Sequence, residues 1–485
     1  MTVGELAARG IHLWAEDGRL RYRAPAGVLT PEIRAYLHAH KAELIALLSE
    51  PRTYPPSHCQ RRFWTLQRLN PADSFYNVPC AFQLSGDLDV ELLRASCNAI
   101  VRRHESLRTT LEERDGELTQ VVAAGGQASL RVAETSPEML AAVLREEMER
   151  PFDLAREAGF RALLVRTGER RHVLMLCLHN TLYDQRSMLV LLRELSAHYA
   201  ALRKGRTPDL PAPAQYSEYV RWQQAQAENG MDERLHYWKE WFARGQPPAW
   251  DWTPRRPPDR QPGFRAHVSW LRSTAELTGE LQELSQRNGV TLYLTLLAAY
   301  TIALRRFNGC ADMVIGTTYS NRHHWKFASL IGAAIDVPAL RVDTTDDPTL
   351  ETLLARLRAL VAAALTYQDV PLERLRSQLP FAGQQGPLFR VVFTFFEPSS
   401  EPLQLSGVEV TYLEEVLNDL SRPEVYLCLW ENSHPRGRTV IGHWLHRQAI
   451  FDGPTAEEMN RTLAALVQLM IVYPKGTVTE LLSRV

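Results

Sequence analysis

The stretch LMLCLHNTLYDQRSMLVLL, residues 174–192, holds a continuous apolar run that breaks abruptly into polar residues. The run ends at the pair His179-Asn180, and a carboxylate at Asp184 and a hydroxyl at Ser187 follow. A short apolar run of this kind is typical of a buried strand, and the longer apolar segment after it is typical of a helix. The pattern predicts a strand that delivers polar side chains to a functional site.

The composition is that of a globular protein without an unusual charge. The 485 residues exceed one ordinary core, so we expect two or three domains. The chain is 45% hydrophobic and 23% charged with a formal net charge of -1, which favours neither a nucleic-acid nor a membrane partner. No apolar run approaches the roughly 18 residues of a membrane span, and the N-terminus lacks the features of a signal peptide. We therefore expect a cytoplasmic protein.

The chain lacks the common patterns of metal and nucleotide chemistry. Its six cysteines are scattered without a CxxC pair, which indicates reduced packing thiols rather than a disulfide or zinc framework. The sequence contains no P-loop, no GxGxxG after a strand, no HExxH and no GxSxG. The pair His323-His324 has no further ligand pattern, so a loop is expected there. We expect no metal and no cofactor held by the protein itself.

Helices and strands alternate on both sides of a Pro-rich segment at residues 244–263. In the second half, TLYLTLLAAYTIALRRF (291–307) predicts a buried helix and LFRVVFTFFEP (388–398) predicts a core strand. This alternation predicts a mixed fold, α/β (α+β), with two lobes. We place the lobes at residues 51–243 and 244–485.

Residues 1–50 form a separate small unit in this interpretation. A short helix is followed by IHLWAEDGRLRYRAP, in which Asp17-Gly18 is a hairpin turn signal. A second helix begins at Thr30-Pro31, a capping residue followed by a proline at the first helical position. The expected order is α-β-β-α, joined to the remainder by the Pro-containing linker SEPRTYPPS.

The predicted hairpin separates apolar from basic side chains. After the turn, Leu20 and Tyr22 lie on one face, and Arg19, Arg21 and Arg23 lie on the other. The arginines alone leave two interpretations open: a solvated basic face, or an edge that captures an extended acidic peptide. The unit resembles the β-hairpin docking domains of modular synthetases. That resemblance implies that these five residues bind a linear motif at the C-terminus of an upstream carrier protein.

Six motifs after residue 51 occur in an order that resembles the condensation domains of nonribosomal peptide synthetases. The first motif, SxAQxRLWxL, is matched by Ser57, Gln60, Arg62, Trp64 and Leu66. The second, RHExLRTxF, is matched by Arg103, His104, Glu105, Leu107, Arg108 and Thr109. The third, HHxxxDGxS, falls on His179, Asn180, Asp184, Gln185 and Ser187. The fourth motif, YxDYxxW, is matched by Tyr216, Glu218, Tyr219 and Trp222. The fifth, IGxFVNTxxxR, is matched by Ile331, Gly332, Asp336 and Arg341. The sixth, QDxPxE, is matched by Gln368, Asp369, Pro371 and Glu373. Each motif alone is weak, and the six in order are specific.

The resemblance implies a fold and a reaction. The fold would be two chloramphenicol-acetyltransferase-like lobes in a V with a tunnel between them. Acyl donors would arrive on the phosphopantetheine arm of an upstream acyl or peptidyl carrier protein. They would be transferred to the hydroxyl or amine of a small or carrier-bound acceptor. We expect a monomer with neither a nucleic-acid nor a membrane partner.

The resemblance also assigns roles within the HHxxxDGxS motif. The second histidine of the family faces the tunnel and handles the proton of the attacking group. Asp184 would form a structural ion pair, for which Arg322 is the candidate partner. His179 would be a structural histidine under the loop, and Ser187 would cap the following helix. The α-helix dipole after Asp184 would assist an oxyanion.

Asn180 departs from the motif at the position of that second histidine. An amide donates and accepts hydrogen bonds but has no useful basicity. Three explanations remain open. Asn180 replaces a natural histidine and impairs an otherwise active enzyme, or the enzyme uses Asn180 to position an activated nucleophile, or the domain recruits carrier proteins without catalysis. Gln185 stands where the family has glycine, and it would either narrow the acceptor side of the tunnel or mark an unusual acceptor.

A docking unit followed by a condensation domain, with no carrier or adenylation segment, fits a free-standing enzyme or the first domain of a longer synthetase. A free-standing enzyme would fetch its acyl donor from another protein, which fits polyketide or peptide chain release. This organisation is similar to that of the ester-forming enzyme that ends enacyloxin assembly. The sequence does not choose between an ester and an amide product.

Overall fold

The computed structural model describes residues 5–6, 9, 11–16, 19–24, 27–243, 250, 252, 263–322, 324–379, 387–396, 403–434 and 437–485. By its internal packing the chain divides into two compact units. The first unit comprises residues 1–222, 324–333 and 402–417, and the second comprises 223–323, 334–401 and 418–485. Both units mix helices and sheets, as the alternating sequence pattern predicts.

The N-terminal region contains the predicted hairpin and the helix that follows it. Strands β1 (His12–Glu16) and β2 (Arg19–Arg23) pair antiparallel, and helices α1 (Pro31–Ala39) and α2 (Lys41–Ser49) follow. Thr30 caps α1 by accepting the backbone N–H of Ile33, and Pro31 takes the first helical position. The turn residues 17–18 lie outside the described part of the chain. A small core joins Leu6 and Ile11 to Ile33, Leu37 and Leu44 of the two helices, and Leu13 and Leu20 of the strands pack against it.

The first unit continues with two sheets and the helices that cover them. Its strands are β3 (Arg52–Tyr54), β4 (Asn77–Gly86), β5 (Thr109–Arg114), β6 (Glu117–Val122), β7 (Leu130–Glu134), β8 (Phe160–Gly168) and β9 (Arg171–His179). Its helices are α3 (His58–Leu69), α4 (Val90–Arg103), α5 (Leu140–Glu149), α6 (Gln185–Leu202) and α7 (Tyr216–Glu228), with 3₁₀ turns at Glu105–Arg108, Pro137–Met139 and Trp325–Phe327. Helix α7 runs across the division between the units.

The second unit contains a six-stranded sheet under a helical layer. Its helices are α8 (Met231–Phe242), α9 (Ala275–Arg287), α10 (Leu292–Asn308), α11 (Leu350–Thr366), α12 (Leu372–Ser377), α13 (Gly453–Val472) and α14 (Val478–Leu482). Its strands are β10 (Ala266–Arg272), β11 (Asp312–Thr317), β12 (Tyr319–Ser320), β13 (Ile335–Asp336), β14 (Ala339–Asp343), β15 (Val391–Phe396), β17 (Val425–His434) and β18 (Gly437–Arg447), whereas β16 (Val408–Tyr412) belongs to the first unit.

The most apolar strands are central in their sheets. The large sheets run β16-β4-β9-β8-β7 in the first unit and β10-β18-β17-β15-β11-β14 in the second. The strand at 391–396 is central in its sheet, and twelve residues of α10 are buried, as the apolar sequences predict. Strand β9 is likewise central, hydrogen-bonded to β4 and β8, which accounts for its continuous apolar run.

The division between the units differs from the boundary placed at residues 243–244. Helix α8 packs in the second unit, where the indole N–H of Trp238 donates to the backbone oxygen of Tyr367 at 2.8 Å. The two units also exchange segments, because residues 324–333 and 402–417 pack with the first. Local patterns carry no signal for such exchange, since it depends on contacts between residues far apart in the chain.

A relay of hydroxyl groups holds the segment 324–333 in the first unit. The Ser57 side chain accepts the backbone N–H of Gln60, and its hydroxyl bonds that of Tyr216 at 2.8 Å. Tyr216 in turn donates to the backbone oxygen of Ala333 at 2.8 Å. At Gly332, with φ of 153°, an added Cβ would lie 2.1 Å from the Tyr216 ring. The SxAQ and YxDYxxW motifs therefore fix one crossing segment of the chain.

Within the described residues, no single helix has the length and apolarity needed to cross a membrane. The pair α9 and α10 passes this test only when joined, and the two helices meet at a bend of 99°.

We predict that Tyr216→Phe lowers the free energy of unfolding by about 1–3 kcal/mol, because a buried carbonyl and a buried hydroxyl lose their partner. Tyr22→Phe serves as the matched control, since Tyr22 is half exposed, and should change it by less than about 0.5 kcal/mol. Urea unfolding of both variants measures the difference. Equal midpoints would contradict the role assigned to the Tyr216 hydroxyl.

Candidate active site

The end of strand β9 fixes the backbone of the His179-Asn180 pair. The His179 N–H donates to the oxygen of Gly159, and the Asn180 N–H donates to that of Tyr76, both at 2.8 Å. Successive side chains of a strand point to opposite faces. His179 is 0% exposed, whereas Asn180 is partly exposed. Among the described residues, none hydrogen-bonds to the side-chain amide of Asn180.

Both ring nitrogens of His179 have partners. Nδ1 accepts the backbone N–H of Thr181 at 3.2 Å and lies 3.0 Å from its hydroxyl. Because Nδ1 is an acceptor, the ring proton sits on Nε2, which faces the Oε1 atom of Gln67 at 3.4 Å. The rings of Tyr76 and Phe152 meet the imidazole edge-on. Gly159 leaves room for it, since a Cβ there would lie 2.9 Å from that of His179.

The electrostatics keep His179 neutral. Burial, reinforced by the positive charge of Arg161, lowers the pKa of His179 to about 3. A neutral, enclosed imidazole with two engaged nitrogens does not reach a substrate and does not accept its proton. The structure thus encloses His179 completely, while Asn180, the residue that follows the strand end, is partly exposed.

Arg161 is a site residue that the sequence analysis missed. Its guanidinium lies 3.7 Å from the centroid of the Phe152 ring and 3.1 Å from a Glu147 oxygen, and the side chain is 1% exposed. A cation stacked on the ring that flanks His179 holds that ring in place. The available signal was a single charge inside the apolar run FRALLV, since a charge in a central strand needs a buried partner.

Asp184 caps helix α6. Its Oδ1 accepts the backbone N–H of Ser187 at 2.7 Å and the Ser187 hydroxyl at 2.8 Å. The expectation that Ser187 is the cap is therefore wrong, since Ser187 is the third helical residue. The Ser187 oxygen also accepts the Gly332 N–H at 3.0 Å, which ties the helix start to the crossing segment.

The RHE motif anchors α6 from its other side. Glu194 of that helix is buried and accepts from Arg103 Nε and pairs with His104 Nε2, each at 2.9 Å. Glu105 accepts the backbone N–H of Ser217 at 2.6 Å. No local pattern in the sequence singles out Glu194. Its partners show that the motif positions the helix whose N-terminus carries Asp184.

The remaining predicted residues lie apart from this cluster. Arg322 belongs to the second unit and Asp184 to the first, and their ion pair stays a prediction. His323 lies outside the described residues, and His324 is exposed. In the described part of the chain, no three His, Cys, Asp or Glu side chains gather closely enough to hold a metal ion.

The predicted docking residues of the hairpin differ in how far their side chains are exposed. Arg19 and Arg21 are exposed, and Tyr22 is 47% exposed. Leu20 packs against the small N-terminal core, so its first role is structural. The side chain of Arg23 lies outside the described part of the chain.

Comparison with known proteins decides the family. Residues 50–482 match the model described as condensation domain, and residues 3–50 match the TubC N-terminal docking domain. The chain belongs to the condensation domain family. It is 33% identical over 448 residues to a probable non-canonical nonribosomal peptide synthetase, CymA, of Salinispora arenicola, and this match covers 90% of the chain. It is 31% identical over 422 residues to malpinin synthetase of Mortierella alpina, and this match covers 85% of the chain. The chain spans only 6% of the length of the first relative and 5% of the second.

Solved condensation domain structures share the fold. The X-domain from teicoplanin biosynthesis, solved in complex with OxyB, aligns with a TM-score of 0.77 at 26% identity over 89% of this chain and 96% of that one. The condensation domain of the monacolin K polyketide synthase MokA aligns with a TM-score of 0.76 at 20% identity over 88% of this chain and all of that one. These likenesses support the predicted chloramphenicol-acetyltransferase-like fold class. The similarity to the enacyloxin enzyme stays a prediction.

The lowered pKa of His179 predicts a pH-dependent stability. Between about pH 6.5 and 3 the unfolded state binds a proton at this residue and the folded state does not, so its contribution to stability falls as pH falls. At pH 5 the loss is about 2 kcal/mol. The His179→Gln variant has no imidazole at this position, so its unfolding free energy does not fall in this way. The difference in unfolding free energy between the unsubstituted protein and the variant should therefore be about 2 kcal/mol smaller at pH 5 than at pH 8. Urea titrations at the two pH values test it, and a constant difference contradicts it.

Proposed function

We propose that this condensation domain transfers an acyl chain from an upstream carrier-protein thioester to the hydroxyl or amine of an acceptor. Its membership of the condensation domain family supports acyl transfer between carrier-bound substrates. The acyl chain would arrive on the phosphopantetheine arm of the carrier, so the domain needs no cofactor of its own. We further propose that the product is an ester or amide that releases a polyketide or peptide chain.

One observation supports the proposal: the loop that carries Asn180 is held between the end of strand β9 and the capped start of helix α6. Asp184 caps α6 and Ser187 joins that helix to Gly332, so the loop from 180 to 184 is held at both ends. Acyl transfer requires a reacting carbonyl, a nucleophile and an oxyanion donor held in fixed positions. A rigid loop at a helix N-terminus suits that requirement, since the helix end favours negative charge.

Partner choice would reside in the N-terminal hairpin. We propose that the matched docking domain binds the C-terminal linear motif of an upstream carrier, along the β2 edge, with Arg19, Arg21 and Arg23 facing acidic side chains. Tyr22 would add an exposed aromatic contact, and Leu20 would support the strand from the core.

A second function is a recruitment platform without catalysis. Asn180 favours it, because an amide does not act as a general base. The X-domain, at 26% identity, was solved as a complex with another protein, OxyB. Under this alternative the domain would bind carrier proteins and leave the thioester intact.

Placing a histidine at position 180 separates the two functions. We predict that Asn180→His raises kcat/KM about 10²–10⁴-fold for transfer from octanoyl-pantetheine to a small acceptor, the range of general base catalysis. Asn229→His, at an exposed position, is the control for an added histidine elsewhere. Mass spectrometry of the product measures transfer. A folded Asn180→His protein without turnover on either amine or alcohol acceptors favours the platform.

Charge reversal tests the docking proposal. We predict that the double variant Arg19→Glu, Arg21→Glu binds a synthetic Glu- and Leu-rich peptide at least tenfold more weakly at low salt, because attraction becomes repulsion. Arg156→Glu is the control, since Arg156 is exposed and distant in sequence from the hairpin. Calorimetric titration gives both affinities. An unchanged affinity of the hairpin variant, or an equal loss in the control, contradicts the proposal.

A further inference from the structure

We infer that Arg161 is a positioning residue of the site: together with Asn77 it holds the ring of Phe152 against His179 and so fixes the orientation of that imidazole. Its effect on acyl transfer rests on the proposed function, whereas its effect on His179 rests on the contacts of one buried cluster. The cluster lies within the first unit, where strands β4 and β8 flank β9.

The two side chains reach the cluster from the two strands beside β9. Asn77 begins β4 as the register partner of His179, and Arg161 lies on β8 as the register partner of Cys177. Residues two apart on a strand share a face, so all four lie on the same side of the sheet. Asn77 is 2% exposed and Arg161 is 1% exposed. Both polar groups therefore need partners inside the protein.

Those partners are the carbonyl groups where helix α5 ends. The amide of Asn77 donates to the backbone oxygens of Met148 and Arg150 at 2.7 and 2.8 Å. The guanidinium of Arg161 donates to the backbone oxygens of Arg150 and Pro151 at 2.6 and 3.2 Å. The last carbonyls of a helix have no partner within it, so side-chain donors can satisfy them. The chain is therefore held directly where it leaves the helix.

Phe152 is the next residue along that chain, and its ring contacts both the guanidinium and the imidazole. The Cζ atom of Arg161 lies 3.7 Å from the ring centroid, and the ring meets that of His179 edge-on at a centroid distance of 5.8 Å. A guanidinium suits both tasks, because it stacks on an aromatic ring while its N–H groups fork outward in the same plane. Arg161 thus fixes Phe152 through its backbone and through its ring.

The buried charge of Arg161 has a counter-charge in Glu147, which is 3% exposed. A carboxylate oxygen of Glu147 lies 3.1 Å from Nε of Arg161, and the other lies 3.0 Å from a nitrogen of Arg131. The side chain of Arg131 is 47% exposed, and within the described residues it donates to none of the carbonyls where α5 ends. Arg131 therefore provides a control that removes a partner of Glu147 and leaves the contacts of Phe152 intact.

The first test observes the imidazole itself by NMR of the full chain with ¹⁵N-labelled histidine. The His179 signals, assigned by their loss in His179→Gln, should show one neutral form with its proton on Nε2. In Arg161→Ala the ring of Phe152 loses its cation and its anchored backbone, so these signals should broaden or divide between the two neutral forms. Arg131→Ala should leave them unchanged.

The second test measures turnover of octanoyl-pantetheine with glycinamide, in the unsubstituted chain and in Asn180→His. Arg161→Ala should lower kcat about 10²-fold and change KM by less than about twofold, because misplaced support disturbs the reacting geometry. Arg131→Ala should change kcat by less than about twofold, since a half-exposed ion pair contributes little. Millimolar methylguanidinium should restore part of the lost kcat of Arg161→Ala, whereas methylammonium, which lacks the planar fork, should not.

A second variant covers the case in which Arg161→Ala does not fold, as judged by cooperative urea unfolding. Phe152→Leu keeps an apolar side chain and removes the ring, so it should disturb the His179 signals and lower kcat in the same way. Unchanged signals in either folded variant overturn the inference, as does an equal disturbance in Arg131→Ala. So does an unchanged kcat in a chain that turns over.

The two tests also separate this inference from the proposed function. If neither the unsubstituted chain nor Asn180→His acylates glycinamide or an alcohol acceptor, the proposed function fails. The NMR signals of His179 then still decide whether Arg161 positions the imidazole, because they require no turnover.

Discussion

The pair of hydrogen bonds that closes strand β9 is the constraint on which the site depends. The strand lies between β4 and β8, and the N–H groups of His179 and Asn180 at its end donate to Gly159 and Tyr76. With the backbone fixed on both sides, His179 lies fully buried at the strand end, and Asn180, the next residue, is partly exposed. The chain then turns within five residues into α6. A one-residue slip would exchange the positions of the two residues, so the register of this sheet decides which of them is enclosed.

Several motif residues of this condensation domain support that helix and loop. Glu194 gathers Arg103 and His104, Asp184 caps the helix, and Ser187 bridges to Gly332. Buried charges are costly unless paired, which explains why the motif residues occur as mutually bonded sets. These polar residues therefore support the loop through bonds to one another.

The sequence predicts local features well and long-range features poorly. The hairpin at 12–23, the buried α10 and the core strand at 391–396 follow from turn signals and apolar runs. The exchange of residues 324–333 and 402–417 into the first unit carries no local signal. Glu194 was missed for the same reason, since its partners Arg103 and His104 lie far from it in the chain. Arg161 did have a local signal, because it is a lone charge within an apolar run. Asp184, and not Ser187, caps helix α6 because the helix begins at Gln185. The apolar periodicity of a sequence does not fix the first residue of a helix.

Position 180 is set apart by the contacts it does not make. Within the described residues its side chain takes part in none of the hydrogen bonds that hold the loop, and only its backbone N–H does, to Tyr76. Any residue other than proline supplies that N–H. The backbone bond to Tyr76 is thus compatible with either histidine or asparagine at position 180. A fold-level match leaves the activity of such a site open, because function resides in the few groups that the fold presents. Here the group at position 180 is an amide, which donates and accepts hydrogen bonds but has no useful basicity.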